Sequence, residues 1–225
     1  MKFNMTLDEV VRSRRSVRGF LPTEVPITIL REVLEVAQLS PSNCNVQPWL
    51  IHVVSGSTLA RMRNDLVAAA KAGLPTNPDF PADIRRFTGI HRERQIDAAV
   101  QLYGAMGIGR NDTDMRKHAY VQNYAFFNAP HAIFTFIESH FGPREIHDKG
   151  MYGQTLLLAL ASRGIASCAQ GALGEYPDIV RSHLGVQPEH RLMYGISLGY
   201  EDPSAKANKA RVGRAPIAEV VRFHD

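Results

Sequence analysis

Cysteine is scarce in this chain: only Cys44 and Cys168 occur in 225 residues, and neither belongs to a CxxC pair. An ordinary zinc site therefore has no ligands of the right spacing. His183 and His190 lie too far apart to share one helical turn as metal ligands. No G-x-G-x-x-G opens a helix behind a strand, since the glycines at 104, 107 and 109 come in the wrong order and follow a helical stretch. A phosphate-loop lysine is missing too, and the G-x-S-x-G match at Gly195 to Gly199 runs through a stretch that reads as a strand, not at a strand-to-helix turn, so it makes no nucleophile elbow. These absences argue against a metal centre, a Rossmann-type dinucleotide site and a serine hydrolase. No apolar segment follows Met1 and no run approaches 18 apolar residues, so the expectation is a cytoplasmic protein with reduced thiols and no membrane contact. Aromatic residues are not interleaved with the basic ones, as a stacking platform for nucleic acid requires, and no nucleic-acid partner is expected.

What is present suffices for a self-supporting core. The chain is 44% hydrophobic and 21% charged, and a chain of this length needs no covalent staple. Its net charge of +4 is unevenly placed. Arg12, Arg14, Arg15 and Arg18 cluster near the start, and Lys206, Lys209, Arg211 and Arg214 near the end. In a compact chain two such clusters can converge on one anionic ligand.

Hydrophobic periodicity places helices over about 7–13, 27–39, 58–72, 92–106, 112–127, 145–163 and 177–184. The first opens on Thr6-Leu7-Asp8-Glu9, a capping-box pattern. The helix from 27 ends at Ser40-Pro41, because proline disfavours the α conformation in the residue before it. Strands are expected at 49–54, 132–137 and 193–198, and residues 217–223 read as an extended arm or late strand. The middle of the 145–163 helix, Thr155 to Ala161, is apolar all round and must be covered on every side. Helices outnumber strands and hairpin signals are missing between them, which indicates an α+β, three-layer fold with a central sheet between helices.

Two segments carry the chemistry. Arg14-Arg15-Ser16-Val17-Arg18 offers planar bidentate donors and a hydroxyl, the equipment for a phosphate. Taken alone, such a run is also what a solvated helix end looks like. Ser40-Pro-Ser-Asn-Cys-Asn-Val-Gln-Pro-Trp49 is more specific. Ser42, Asn43, Asn45 and Gln47 each donate and accept, locked between Pro41 and Pro48 and anchored by the only tryptophan. A planar polar ring needs both functions along one edge. An ordered turn before a strand accounts for one asparagine but poorly for four polar side chains.

In these two segments the chain resembles the nitroreductase family of FMN-dependent oxidoreductases, whose R-[RH]-S-x-[RK] and S-P-S-x-x-N-x-Q-P-W patterns match residues 14–18 and 40–49. The likeness extends over nearly the whole chain, through Phe126-Phe-Asn-Ala-Pro130, the Ala169-Gln-Gly-Ala-Leu173 loop and Arg214-Ala-Pro216. It implies a single domain over 1–225 with a three-layer α/β/α nitroreductase-like fold, a mixed or antiparallel sheet and a long dimer-core helix. It implies a homodimer with FMN at the subunit interface. Arg14, Arg15, Ser16 and Arg18 would hold the phosphate and the pyrimidine edge. Pro41, Ser42, Asn43, Asn45 and Gln47 would come from the other subunit, and Gln170, Gly171 and Ala172 would lie against the ring. Arg211 and Arg214 would close on the phosphate, Arg211 standing in for a lysine that some members carry where this chain has Val212. Either Gln122 or Asn123 would reach the flavin.

The implied activity is hydride transfer from NAD(P)H through the flavin to a small aromatic acceptor, a nitroaromatic foremost. Such chemistry asks for no protein nucleophile, acid or base. Phe80, Phe87, Tyr103, Tyr120 and Tyr124 are candidate walls of the acceptor pocket, although any one of them serves equally as a core aromatic. Cys44 and Cys168 fall in flavin-side loops, where small buried cysteines are commonplace. The alternatives are a reductive dehalogenase or quinone or enone reductase of the same fold, and a non-catalytic flavin-binding module.

Overall fold

A computed structural model describes residues 5–225. Four strands, β1 (Leu50–Ser55), β2 (His131–Glu138), β3 (Ala166–Gln170) and β4 (His190–Gly199), form one sheet in the order β1-β2-β4-β3. Every pairing within it is antiparallel. Residues His131 to Ile137 of β2 are all buried, which requires cover on both faces of the sheet. Among the described residues eight helices accompany it: α1 (Leu7–Ser13), α2 (Ile27–Gln38), α3 (Gly56–Ala72), α4 (Gly89–Met106), α5 (Thr113–Val121), α6 (Pro143–Ala161), α7 (Pro177–Leu184) and α8 (Ile217–Val220).

The pleat of β2 divides the core in two. Ala132, Phe134 and Phe136 pack with Leu59, Met62 and Leu66 of α3 and Val180 of α7. Ile133 points the other way, with Ile196 and Leu198, into Leu30, Val33 and Ala37 of α2 and Leu156 and Leu160 of α6. This alternation makes the three layers expected from the sequence.

Helix α6 starts two residues earlier than its pattern indicated. Gly142 precedes Pro143 at the first turn, and Glu145 reaches back to accept from the Gly142 amide at 2.9 Å. Its apolar middle is only partly covered within one chain: Leu156, Ala159 and Leu160 are buried, while Leu157 and Leu158 stay half-buried. Gly153 leaves room for the end of the Tyr194 side chain of β4, since a Cβ there would stand 2.2 Å from its hydroxyl.

Three expectations need correction. Ala169 and Gln170, read as the start of a loop, close strand β3, and residues 166–168, given no element, open it; alanine, serine and cysteine have little strand signal of their own, and pairing with β4 decides the matter. The helix expected to 127 ends at Val121. Phe126, Phe127 and Asn128 then take left-handed backbone at φ 55°, 51° and 66°, held by the buried Phe126 and Phe127 rings. Such backbone costs roughly 1–2 kcal/mol per residue unless packing over-determines it. The tail carries a short helical turn, α8, instead of a strand.

Candidate functional site

The arginine-rich segment owes its shape to the end of α1. The capping box forms as the sequence indicates, with Glu9 N–H donating to Thr6 Oγ1 and the Glu9 carboxylate accepting from Thr6 N–H at 2.7 Å. The helix stops at Ser13, and Arg14 turns extended. Residues 14–18 then run beside the open edge of β3, where Val17 N–H donates to Ser167 O at 3.0 Å and Ser16 pairs in parallel with Ser167. Val17 is the buried peg of this segment. Arg15 is tied to Glu201 through its guanidinium, leaving its Nε buried without a partner.

Asn208 brings the C-terminal arginines to the same place. Its Oδ1 accepts from Arg18 N–H at 2.7 Å, and its Nδ2 donates to Gly19 O and Asp202 O at 2.9 and 3.0 Å. Gly19 permits this closeness, since a Cβ there would stand 2.3 Å from Ala205 Cβ. The result is a cleft of about 560 Å³ in which Arg12, Arg14, Arg15 and Arg18 meet Arg211 and Arg214, with Ser13, Ser16 and Val212 between them. Ala98 and Leu102 of α4 roof it, and no aspartate or glutamate lines it. Among the expected cofactor residues, Arg14, Arg15, Ser16, Arg18, Arg211 and Arg214 thus converge.

A second cavity of about 350 Å³ adjoins the cleft, sharing Arg18 and Leu102 with it. Tyr103, Tyr120, Gln122, Asn123 and Phe127 contribute to its wall. Asn123 is already engaged, its backbone and side-chain oxygens accepting from Gln170 Nε2 at 3.0 and 3.3 Å. Gln122 meets only His118, at 3.1 Å, and is the freer of the two amides. The Tyr120 and Tyr124 hydroxyls lie 2.6 Å apart, and both are within hydrogen-bond reach of the Glu175 carboxylate. Burial pushes the Tyr120 phenol up to about 12 and raises that of Tyr124 further, so both hydroxyls stay protonated. The proposed aromatic walls divide accordingly. Tyr103 and Tyr120 face this cavity, Tyr124 is fully buried, Phe80 lies under the Arg191 guanidinium, and Phe87 is exposed.

Two groups of expected residues do not join the cleft within one chain. The first is the 40–49 loop. Ser42 Oγ accepts from Gln47 N–H at 2.9 Å, Asn43 N–H donates to Asp148 at 2.9 Å, and Gln47 exchanges hydrogen bonds with Gln38 and Asn45. Trp49 anchors the loop by donating to Gln38 at 3.0 Å. Cys44, Asn45 and Gln47 adopt φ near 50° to 56°, and Pro41, Asn43, Asn45 and Gln47 present exposed surfaces. The second is Gln170, whose side chain is buried, donating to Asn123 and accepting from Ser197. Gly171 is exposed and Ala172 half-buried beyond the end of β3, with nothing within 4 Å of a Cβ at Gly171.

Sequence reasoning missed Asn208, Glu201 and the α4 roof, for which no local pattern exists. It also missed Lys149 on α6, fully buried with no hydrogen-bond partner and pulled down to about 6 by burial. Cys168 lies buried beside Ser16, and burial pushes its thiol up, against thiolate chemistry. Among the described residues no helix is long and apolar enough to cross a membrane.

Residues 11–200 match the model of the Nitroreductase family. The chain is 41% identical over 216 residues to "Nitroreductase NfnB" of Mycolicibacterium smegmatis, covering 96% of this chain and 92% of that one. It is 34% identical over 209 residues to the 4-nitrobenzoate reductase of Pseudomonas putida, covering 92% and 90%. The solved structure of the FMN-dependent nitroreductase NfnB from Mycobacterium smegmatis, in complex with NADPH, superposes with a TM-score of 0.93 at 40% identity over 97% of both chains.

Proposed function

Because this chain belongs to the nitroreductase family, we propose that it is an FMN-dependent oxidoreductase that moves hydride from NAD(P)H to a nitroaromatic acceptor. The observation that carries the reading is the acid-free cleft in which arginines from both ends of the chain meet.

The residues present fit FMN. Arg14, Arg211 and Arg214 supply charge-assisted donors for the phosphate, and Ser16 adds a hydroxyl. Arg18, whose guanidinium now donates only to Ser16 O, stands between the cleft and the second cavity and is placed for the pyrimidine edge. Gln122 is assigned to that edge in preference to Asn123. Arg15, held by Glu201, acts as a strut for its neighbours. At Gly171 and Ala172 open backbone offers a flat surface for a ring. Bound FMN supplies the redox chemistry, accepting hydride from the nicotinamide and passing it to the acceptor. The protein's part is to bind, to orient and to set positive charge where negative charge develops.

The functional unit in this reading is a homodimer, and the chain is one domain over 1–225. Support comes from apolar surface that one chain leaves bare: Leu39, Val46, Leu50 and Val53 around the 40–49 loop, and Ile217 and Phe223 on the tail. Pro41, Ser42, Asn43, Asn45 and Gln47 then complete the partner's flavin site, which accounts for an exposed loop so rich in hydrogen-bonding groups. Reliance on NAD(P)H assigns the enzyme to the cytoplasm.

Purified protein is expected to be yellow, to bleach anaerobically with NADPH, and to recover its colour when 4-nitrobenzoate is added. Colourless protein, or flavin that the nicotinamide does not bleach, refutes the proposal.

A further inference from the structure

We infer that the arginine cleft holds a second anionic group beside the flavin phosphate, the 2′-phosphate of NADPH, and that Arg12 is the residue that selects it. The inference rests on the flavin reading above and carries it to the choice of nicotinamide.

Charge balance supports it. Six arginines line the cleft without a carboxylate among them. Glu201 neutralises Arg15, so the charges of Arg12, Arg14, Arg18, Arg211 and Arg214 remain uncompensated. A phosphate monoester brings about −1.5 to −2 near neutral pH. The surplus of roughly three positive charges is repulsive at this spacing and asks for another polyanion. Of these five uncompensated guanidiniums, the three that make hydrogen bonds meet only backbone carbonyls, which relieve no charge: Arg18 on Ser16, Arg211 on Asn208 and Ala210, Arg214 on Val212 and Gly213.

The adjoining cavity under α4 cannot be the second anion's seat. Glu93, Asp97 and Glu219 line it, and Arg94 is already paired with Glu219 at 2.8 Å. The second anion is therefore directed into the arginine cleft itself.

Arg12 is singled out by position. It lies in the last turn of α1, before the extended 14–18 segment that faces the flavin phosphate. Its side chain lines the cleft and forms no ion pair among the described residues. NADH and NADPH share the pyrophosphate, so only the 2′-phosphate can turn this extra cation into discrimination.

The test compares wild-type holoenzyme with Arg12→Ala and Arg12→Lys. It measures kcat/KM for NADPH and NADH with nitrobenzene and 4-nitrobenzoate as acceptors, and FMN per chain by absorbance. Wild type is expected to favour NADPH. In Arg12→Ala the NADPH-to-NADH ratio should fall about two- to fivefold through KM, with FMN content unchanged and most of the ratio restored by lysine. An unchanged ratio, or a wild type that favours NADH, overturns the inference. So does Arg12→Ala losing FMN, which would put Arg12 on the flavin phosphate, or a loss confined to 4-nitrobenzoate, which would assign the surplus charge to an acidic acceptor. Wild-type protein without FMN overturns both readings, and the flavin spectrum distinguishes that failure from failure of the Arg12 assignment.

Discussion

Replacing Lys149 by methionine should stabilise this protein, and by an amount that depends on pH. Lys149 is fully buried on α6, its ammonium has no hydrogen-bond partner, and burial pulls it from 10.5 to about 6. At 1.36 kcal/mol per pH unit, that displacement corresponds to a cost of about 6 kcal/mol once the solution is acidic enough to charge the unfolded and folded chains alike. The folded chain binds fewer protons than the unfolded chain between pH 6 and 10.5. Wild-type stability should therefore rise with pH across that window and flatten on either side. At pH 8 the lysine costs about 3 kcal/mol, all of which methionine avoids while preserving much of the aliphatic stem. Urea unfolding at pH 6.5 and pH 9, at one protein concentration to hold any association constant, measures both curves. The expected result is a gain that is larger at pH 6.5 than at pH 9. A gain equal at both values, or a loss, would show that the amine reaches water or a counter-charge and would refute the reasoning.

Other substitutions probe the site. Arg14→Ala should weaken FMN binding by about one to two decades, the worth of a charge-assisted hydrogen bond of roughly 1.5–3 kcal/mol, in a titration of apoprotein by flavin fluorescence. Unchanged affinity would remove Arg14 from the phosphate site. Gly19→Ala should lower stability by about 1–3 kcal/mol and reduce retained flavin, because a Cβ 2.3 Å from Ala205 Cβ forces the C-terminal segment away from the cleft. Equal stability and flavin content would mean that the segment yields freely. Asn128→Gly should raise the melting temperature slightly, by relief of up to about 1 kcal/mol at φ 66°, and a lower melting temperature would show that the asparagine side chain earns its place. Val46→Asp should convert the proposed dimer to monomer in sedimentation and release flavin with it; a flavin-replete dimer would separate the 40–49 loop from the proposed interface.

Local rules sufficed for much of this molecule. The capping box at Thr6 and Glu9, the proline that ends α2, and the β-branched and aromatic run of β2 each depend on neighbours a few residues away, and each is found where the pattern placed it. The two motifs were legible for the same reason: their donor types and spacing are written in consecutive residues. Strand β3 was not legible, because Ala166, Ser167 and Cys168 have no strand signal until β4 lies beside them. The left-handed turn at 126–128 exists because two buried phenylalanines hold it against its own backbone preference. Which amide is free, Gln122 or Asn123, depends on Gln170, some fifty residues further along. The meeting of Arg14 with Arg211 and Arg214 needs Asn208 bonded across to Arg18 and Gly19. Charge identity belongs to the sequence, but the mutual repulsion of the cleft arginines arises only from proximity, and proximity is a property of the folded chain.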